Sequence, residues 1–217
     1  MQVMQLKRQE DLRQYASNYM HITNTEIPFD YLTNNLVYGF IKDKKLVAGF
    51  IVGITPPFRT IELFAPPSSH SELMAFLNSG KEVCEVCCFW QIRSEITFAD
   101  NAFIWFSMSQ KVRVKGKQFF LGGTYAKGLA NLYGYPTYAH LISKGEVNGK
   151  QAWIFIAWRK YAVLSAIEVM IYKLRKSINK KSNRPLPDCT KYDEKALFKV
   201  AKALNTDYTK NILQAQI

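Results

Sequence analysis

The run from Val83 to Ile92 constrains the fold more than any other stretch of the chain. It is rich in Val, Cys and aromatic residues. Simple alternation sets Val83, Glu85, Cys87 and Phe89 on one side and Cys84, Val86, Cys88 and Trp90 on the other. Both sides are largely apolar. A strand of this kind needs cover above and below, which puts it in the middle of a sheet with a layer packed on each face.

The flanking segments supply the other strands and the covering helices. Val3–Lys7 reads as a short strand, and Leu12, Tyr15, Ala16 and Tyr19 follow at helical spacing. Pro28 opens a further helix that carries Phe29, Leu32 and Leu36. Two β-rich runs, from Val37 and from Leu46, flank the polar turn Asp43-Lys44-Lys45 and predict a hairpin. Thr60–Phe64 reads as an extended piece ahead of Pro66 and Pro67, and a short amphipathic helix starts at Ser71. Beyond the central run, a helix through Ala102, Phe103, Phe106 and Met108 precedes a strand at Gln118–Gly123. A short helix, Ala126–Tyr133, is closed by Gly134. Two strands, Thr137–Ile142 and Gln151–Trp158, bracket a turn at Glu146–Lys150. A long helix is expected from Tyr161 to Asn179 with Leu164, Ile167, Met170 or Ile171, Leu174 and Ile178 in its apolar stripe. Pro185 and Pro187 interrupt it, and a last helix over Asp193–Leu204 turns Leu197, Val200 and Leu204 inward.

At 217 residues and 48 % apolar content, the chain can build one α/β domain, here residues 1–158, and a basic helical extension, residues 159–217. Residues 1–158 hold 16 Lys and Arg against 12 Asp and Glu, and the extension holds 13 against 5. That excess suits a solvated face or an anionic partner: nucleic acid, a membrane surface or an acidic cofactor. No apolar run reaches the roughly 18 residues of a membrane span, and the first residues lack a leader pattern. A cytoplasmic protein with reduced cysteines is therefore expected. The Cys84-x-x-Cys87 pair has no second pair to complete a zinc set, so the cysteines read as structural and no metal is expected.

The order of strands and helices, with the segment closing at Gly134-Tyr135, resembles the GNAT superfamily of acyl-CoA-dependent N-acyltransferases over residues 1–158. Ala126 and Leu129 fall on the family's Ala and Leu in this segment, Gly123 stands where Asn is usual, and Ala130 stands where the family's Tyr is usual. The resemblance implies a central mixed, mostly antiparallel sheet flanked by helices, with the pantetheine of acyl-CoA beside Val83–Ile92. It also implies a pyrophosphate held by the amides that open the next helix. The glycines usual in that loop are absent from Gln91–Asp100, and Glu95 and Asp100 oppose an anion there. Phe89, Gln91, Ile92 and Arg93 are the candidate donor contacts. Gly123 and Thr124 join them as a candidate anion nest, with a turn needing positive φ as the alternative.

Acyl transfer to an amine needs the amine deprotonated and the departing thiolate protonated. Glu85 is the candidate base if it faces a cleft, where burial would raise its pKa. Tyr133 is the phenol nearest the lost acid, three residues on and about 60° around a helix from it. The implied partners are a small-molecule acyl donor and an amine acceptor. Two alternatives stay open. One is an inactive acyltransferase-like fold used for binding. The other is a basic nucleic-acid-binding protein using Lys111–Lys117 and the carboxy-terminal lysines.

Overall fold

A computed structural model describes residues 1–79, 82–134 and 139–178, together with 195, 199, 200 and 202. β1 (Gln2–Gln5) leads to helices α1 (Gln9–Thr23) and α2 (Phe29–Asn34). The hairpin of β2 (Leu36–Lys42) and β3 (Lys45–Gly53) follows, then α3 (Arg59–Phe64) and α4 (Pro67–Ser79). β4 (Val83–Gln91), α5 (Phe98–Lys115), β5 (Phe119–Thr124) and α6 (Lys127–Gly134) come next. β6 (Ala139–Val147), β7 (Lys150–Trp158) and α7 (Ala162–Ile178) complete the described elements.

The seven strands form one sheet in the order β1-β2-β3-β4-β5-β7-β6, so the run singled out from the sequence is the middle strand. Only β4 and β5 pair in parallel; every other neighbour is antiparallel. One face is covered by α1 and α2, which bury Tyr15, Tyr19 and Leu32 against Cys87 and Trp90. On the same face α3 and α4 pack Ile61, Leu73 and Leu77 against Phe119 and Ile154, and the described residue Val200 is buried in that cluster. The other face takes α5, α6 and α7. The break at Pro185–Pro187, most of the last helix and Cys189 lie outside the described residues, as does Tyr135.

Three expectations are corrected. Thr60–Phe64 is not extended but forms most of α3. Its first two amides, at Arg59 and Thr60, donate to the Glu85 carboxylate at 2.8 and 2.7 Å, so a contact about 25 residues away overrides the β-prone local sequence. The alternation along β4 breaks at a β-bulge: β3 pairs Ile51 with Cys87 but Gly49 with Trp90, and Cys88 sits at φ 51°. Phe89 consequently joins Cys84 and Val86 on the α5 face, while Cys88 and Trp90 turn towards α1. The Tyr15 hydroxyl donates to the Cys88 carbonyl at 2.6 Å and holds the bulge. Gly49 permits this approach, because a Cβ there would stand 2.5 Å from the Tyr15 ring.

The third correction concerns α7. Leu164, Ile167, Ile171 and Leu174 face outward, 38–48 % exposed, and the buried side is Ala162, Ala166 and Val169. The β6–β7 turn is tighter than the expected Glu146–Lys150. It consists of Asn148 and Gly149, both at positive φ, between the paired residues Val147 and Lys150.

Candidate functional site

The bulge re-aims the middle strand at the point where the sheet parts. β4 and β5 pair only from Val83↔Phe119 to Glu85↔Leu121. Beyond that rung β4 stays with β3 as far as Gln91, while β5 stays with β7 as far as Thr124. A cavity of about 420 Å³ lies at this split on the α5–α7 face. Val86, Phe89 and Gln91 of β4 form one wall, and Phe120, Leu121 and Gly122 of β5 form the other.

Small side chains keep the space open. α7 presents Ala162, Ser165, Ala166 and Val169, spaced i, i+3, i+4 and i+7 so that all four share one face. α5 contributes Trp105, Met108, Ser109 and Val112, and α6 contributes Leu129, Leu132 and Tyr133. The lining is mainly apolar with a few polar groups, the usual character of a small-molecule site. Gln91 accepts a hydrogen bond from Asn101 at 3.3 Å near the exposed Arg93. Among the described residues that line the cavity, none is Asp, Glu or His.

Tyr133 lines the cavity and packs edge-on against Phe155, with ring centroids 6.0 Å apart. Burial pushes its phenol up to about 12, and Cys87 adds to the rise. It is therefore neutral at ordinary pH. Phe89, Gln91 and Arg93 also border the cavity. The structure thus gathers Tyr133, Phe89, Gln91 and Arg93 at one opening.

The other four candidates lie elsewhere. Glu85 does not face the cavity. It is fully buried on the opposite side, accepting a short hydrogen bond from the Tyr31 hydroxyl in addition to the two α3 amides. Burial raises its pKa, and these donors restrain the rise. Its position ties α2 and α3 to the middle strand. Ile92 packs with the α1–α2 cluster and donates its amide to the Val47 carbonyl at 2.8 Å. Gly123 and Thr124 are strand residues paired with Ile154 and Trp153, not a nest, and a Cβ on Gly123 would run into the Phe64 ring. Thr124 instead accepts from the Ala126 amide at 3.0 Å as the chain enters α6.

The start of α5 is capped from within. Thr97 and Asp100 form a reciprocal capping box, and Lys42 bonds the Asp100 carboxylate at 2.8 Å. Lys42 and the Thr97 bonds hold that carboxylate well below its ordinary range. An anionic side chain thus occupies the helix start where a pyrophosphate was expected. Lys111, Arg113 and Lys115 lie in the last turns of α5. The cavity residues that sequence reasoning missed are Trp105 on α5, Tyr161 in the turn ahead of α7, and Ser165 and Ala166 on α7, where the apolar pattern points to the bulkier Leu164 and Ile167. The small-residue spacing on α7 was the available signal.

No protein-family model matches the chain, and no curated protein matches it at a significant level. Solved structures do. TofI in its apo form aligns with a TM-score of 0.54 at 11 % identity, over 77 % of this chain and 97 % of that one. FeeM, an N-acyl amino acid synthase from uncultured soil microbes, aligns at 0.54 and 12 %, over 76 % and 99 %. MesI, a CoA-dependent acyl-homoserine lactone synthase, aligns at 0.52 and 12 %, over 78 % and 95 %. Together with the parted seven-stranded sheet, these likenesses define the fold: one mixed, mostly antiparallel sheet with helices on both faces. More narrowly, it is the GNAT fold in a divergent form.

Proposed function

We propose that the protein is an N-acyltransferase that takes an acyl group from an acyl thioester, acyl-CoA or a related pantetheine carrier, and transfers it to an amine. The observation that carries this reading is the split between β4 and β5, which opens on an apolar cavity with a neutral phenol in its wall. In this reading the acyl chain occupies the cavity among Val86, Phe120, Ala166 and Val169, and the pantetheine follows Phe89 and Gln91 towards Arg93. The amine nitrogen attacks the thioester carbonyl carbon. A C–N bond forms, the C–S bond breaks, and Tyr133 donates to the sulfur as it leaves. With no carboxylate or imidazole in the described lining, the amine enters neutral, the proton shed by its nitrogen as the C–N bond forms passes to water, and water returns a proton to the Tyr133 phenolate, leaving an amide and a free thiol. FeeM and MesI, which share the fold, carry names that refer to acyl products on nitrogen-bearing acceptors, which supports this reaction class.

The test is thiol release from acyl-CoA and acyl-phosphopantetheine thioesters in the presence of amino acids and alkylamines, with product masses. Turnover is expected with at least one donor, and Tyr133→Phe should lower kcat roughly a hundredfold with little change in KM. Equal rates in the two proteins would refute the role of Tyr133. The self-capped start of α5 favours a second reading, a binding protein without turnover. Thioester binding without thiol release for any amine would decide for it.

A further inference from the structure

The helices that enclose the cavity present a different chemistry on their outer sides. A surface helix on a soluble domain normally turns its polar side to water. On α7 the outer side is Leu164, Ile167, Ile171 and Leu174, whose alternating spacing of three and four lines them up in one stripe. α5, packed beside α7, exposes Phe103, Phe106 and, at 66 %, Val114. Four exposed apolar residues in one stripe of α7 mark an interaction surface.

The charge around the stripe identifies the partner. α5 carries Lys111, Arg113 and Lys115 near its end, Arg159 and Lys160 stand just ahead of α7, and the acidic residue on α7 is Glu168, beside the stripe. Arg159 donates to the Gly116 carbonyl at 2.7 Å, which joins the end of α5 to the start of α7. Exposed Arg113 and Lys115 on α5 and Lys160 ahead of α7 therefore gather at one end of the helix pair. The Lys160 ammonium lies 5.3 Å from the Trp158 ring and 4.9 Å from that of Tyr161, which holds its charge at this end of the helix pair.

We propose that this face seats the protein on an anionic bilayer. Leu164, Ile167, Ile171 and Leu174 enter the boundary between headgroups and acyl chains, and Arg113, Lys115 and Lys160 meet the anionic headgroups. A second copy fits less well, because each chain brings a net charge of +12. No helix among the described residues is long and apolar enough to cross a membrane, so the association is peripheral. The proposal stands apart from acyl transfer, because binding to lipid is read without substrate.

The full chain is tested by flotation with vesicles of phosphatidylcholine alone and of equimolar phosphatidylcholine and phosphatidylglycerol, at low and high salt. Binding is expected to the anionic vesicles, falling at high salt. The Arg113→Gln, Lys115→Gln pair should weaken it roughly thirtyfold. The Ile167→Gln, Ile171→Gln pair should weaken it at least tenfold with an unchanged melting temperature. If that pair unfolds, the more exposed Leu164→Gln, Leu174→Gln pair serves instead. No binding to anionic vesicles at low salt overturns the proposal, as does binding that the stripe substitutions leave unchanged. A dimer seen by light scattering and lost in the stripe variants also overturns it, in favour of a second copy on this face.

Discussion

Substituting Ala166→Phe tests whether the cavity receives an acyl chain. Ala166 lies on the buried side of α7 and lines the cavity, so the new ring must fill part of the open space. If a methylene occupies roughly the 30 Å³ of a water molecule, the 420 Å³ cavity holds about fourteen methylenes. Each buried methylene contributes about 0.8 kcal/mol, close to fourfold in affinity. For the unaltered protein, calorimetry over a series from butanoyl to hexadecanoyl thioesters should therefore give affinities that climb with chain length until the space is full. A phenyl ring displaces about four methylenes, which costs the longest donors about 3 kcal/mol, roughly two-hundredfold in affinity. The butanoyl thioester should lose little. Melting temperatures separate this effect from overpacking, and Ser165→Leu offers a smaller obstruction in the same space if the larger one disturbs the fold. A folded variant that binds the hexadecanoyl thioester as tightly as before would refute the reasoning, and so would an unaltered protein indifferent to chain length.

Three further outcomes are expected. Because no acidic or histidine side chain lines the described cavity, the pH dependence of kcat/KM should follow the pKa of the amine substrate. A fixed limb near neutrality for amines of different basicity would count against this. Glu85 titrates higher in the folded chain than in the unfolded one, so its stabilising contribution is complete below the ordinary Glu value and is lost as pH rises through the raised one. Glu85→Gln removes that titration and leaves the α3 amides short of an acceptor. It should destabilise by about 1–3 kcal/mol in mild acid, and the deficit in urea unfolding should narrow as pH rises; a constant deficit would contradict this. Gly123→Ala should cost about 1–3 kcal/mol by driving a methyl group into the Phe64 ring, and a melting temperature equal to that of the unaltered chain would show that Phe64 moves aside freely.

The middle strand, the β2–β3 hairpin and the long α7 are legible in the sequence because hydrophobic pattern and turn chemistry agree there. What escapes the sequence is set by distant contacts. The phase of β4 beyond Cys87 depends on a bulge held by Tyr15, more than 70 residues earlier. Nothing local records it, because both sides of the strand are apolar. α3 is helical through two amides bound to Glu85, against the preference of Thr60 and Ile61 for extended structure. On α7 the larger apolar residues mark the outer side, and Ala162, Ser165 and Ala166 mark the side that packs. Of the candidate site, the residues flanking the bulge and the phenol on α6 share the cavity. Gly123 and Thr124 do not, because a Gly-Gly pair within a paired strand is indistinguishable in sequence from one in a loop.

The central claim is that a thioester enters where β4 and β5 part. Amide hydrogen exchange of the full chain, with and without a saturating dodecanoyl thioester, tests it directly. Slowed exchange is expected at Val86–Gln91 and Gly122–Thr124, the segments of the two strands that lie beyond their last shared rung. Binding that leaves both segments unchanged while protecting another region would contradict the account.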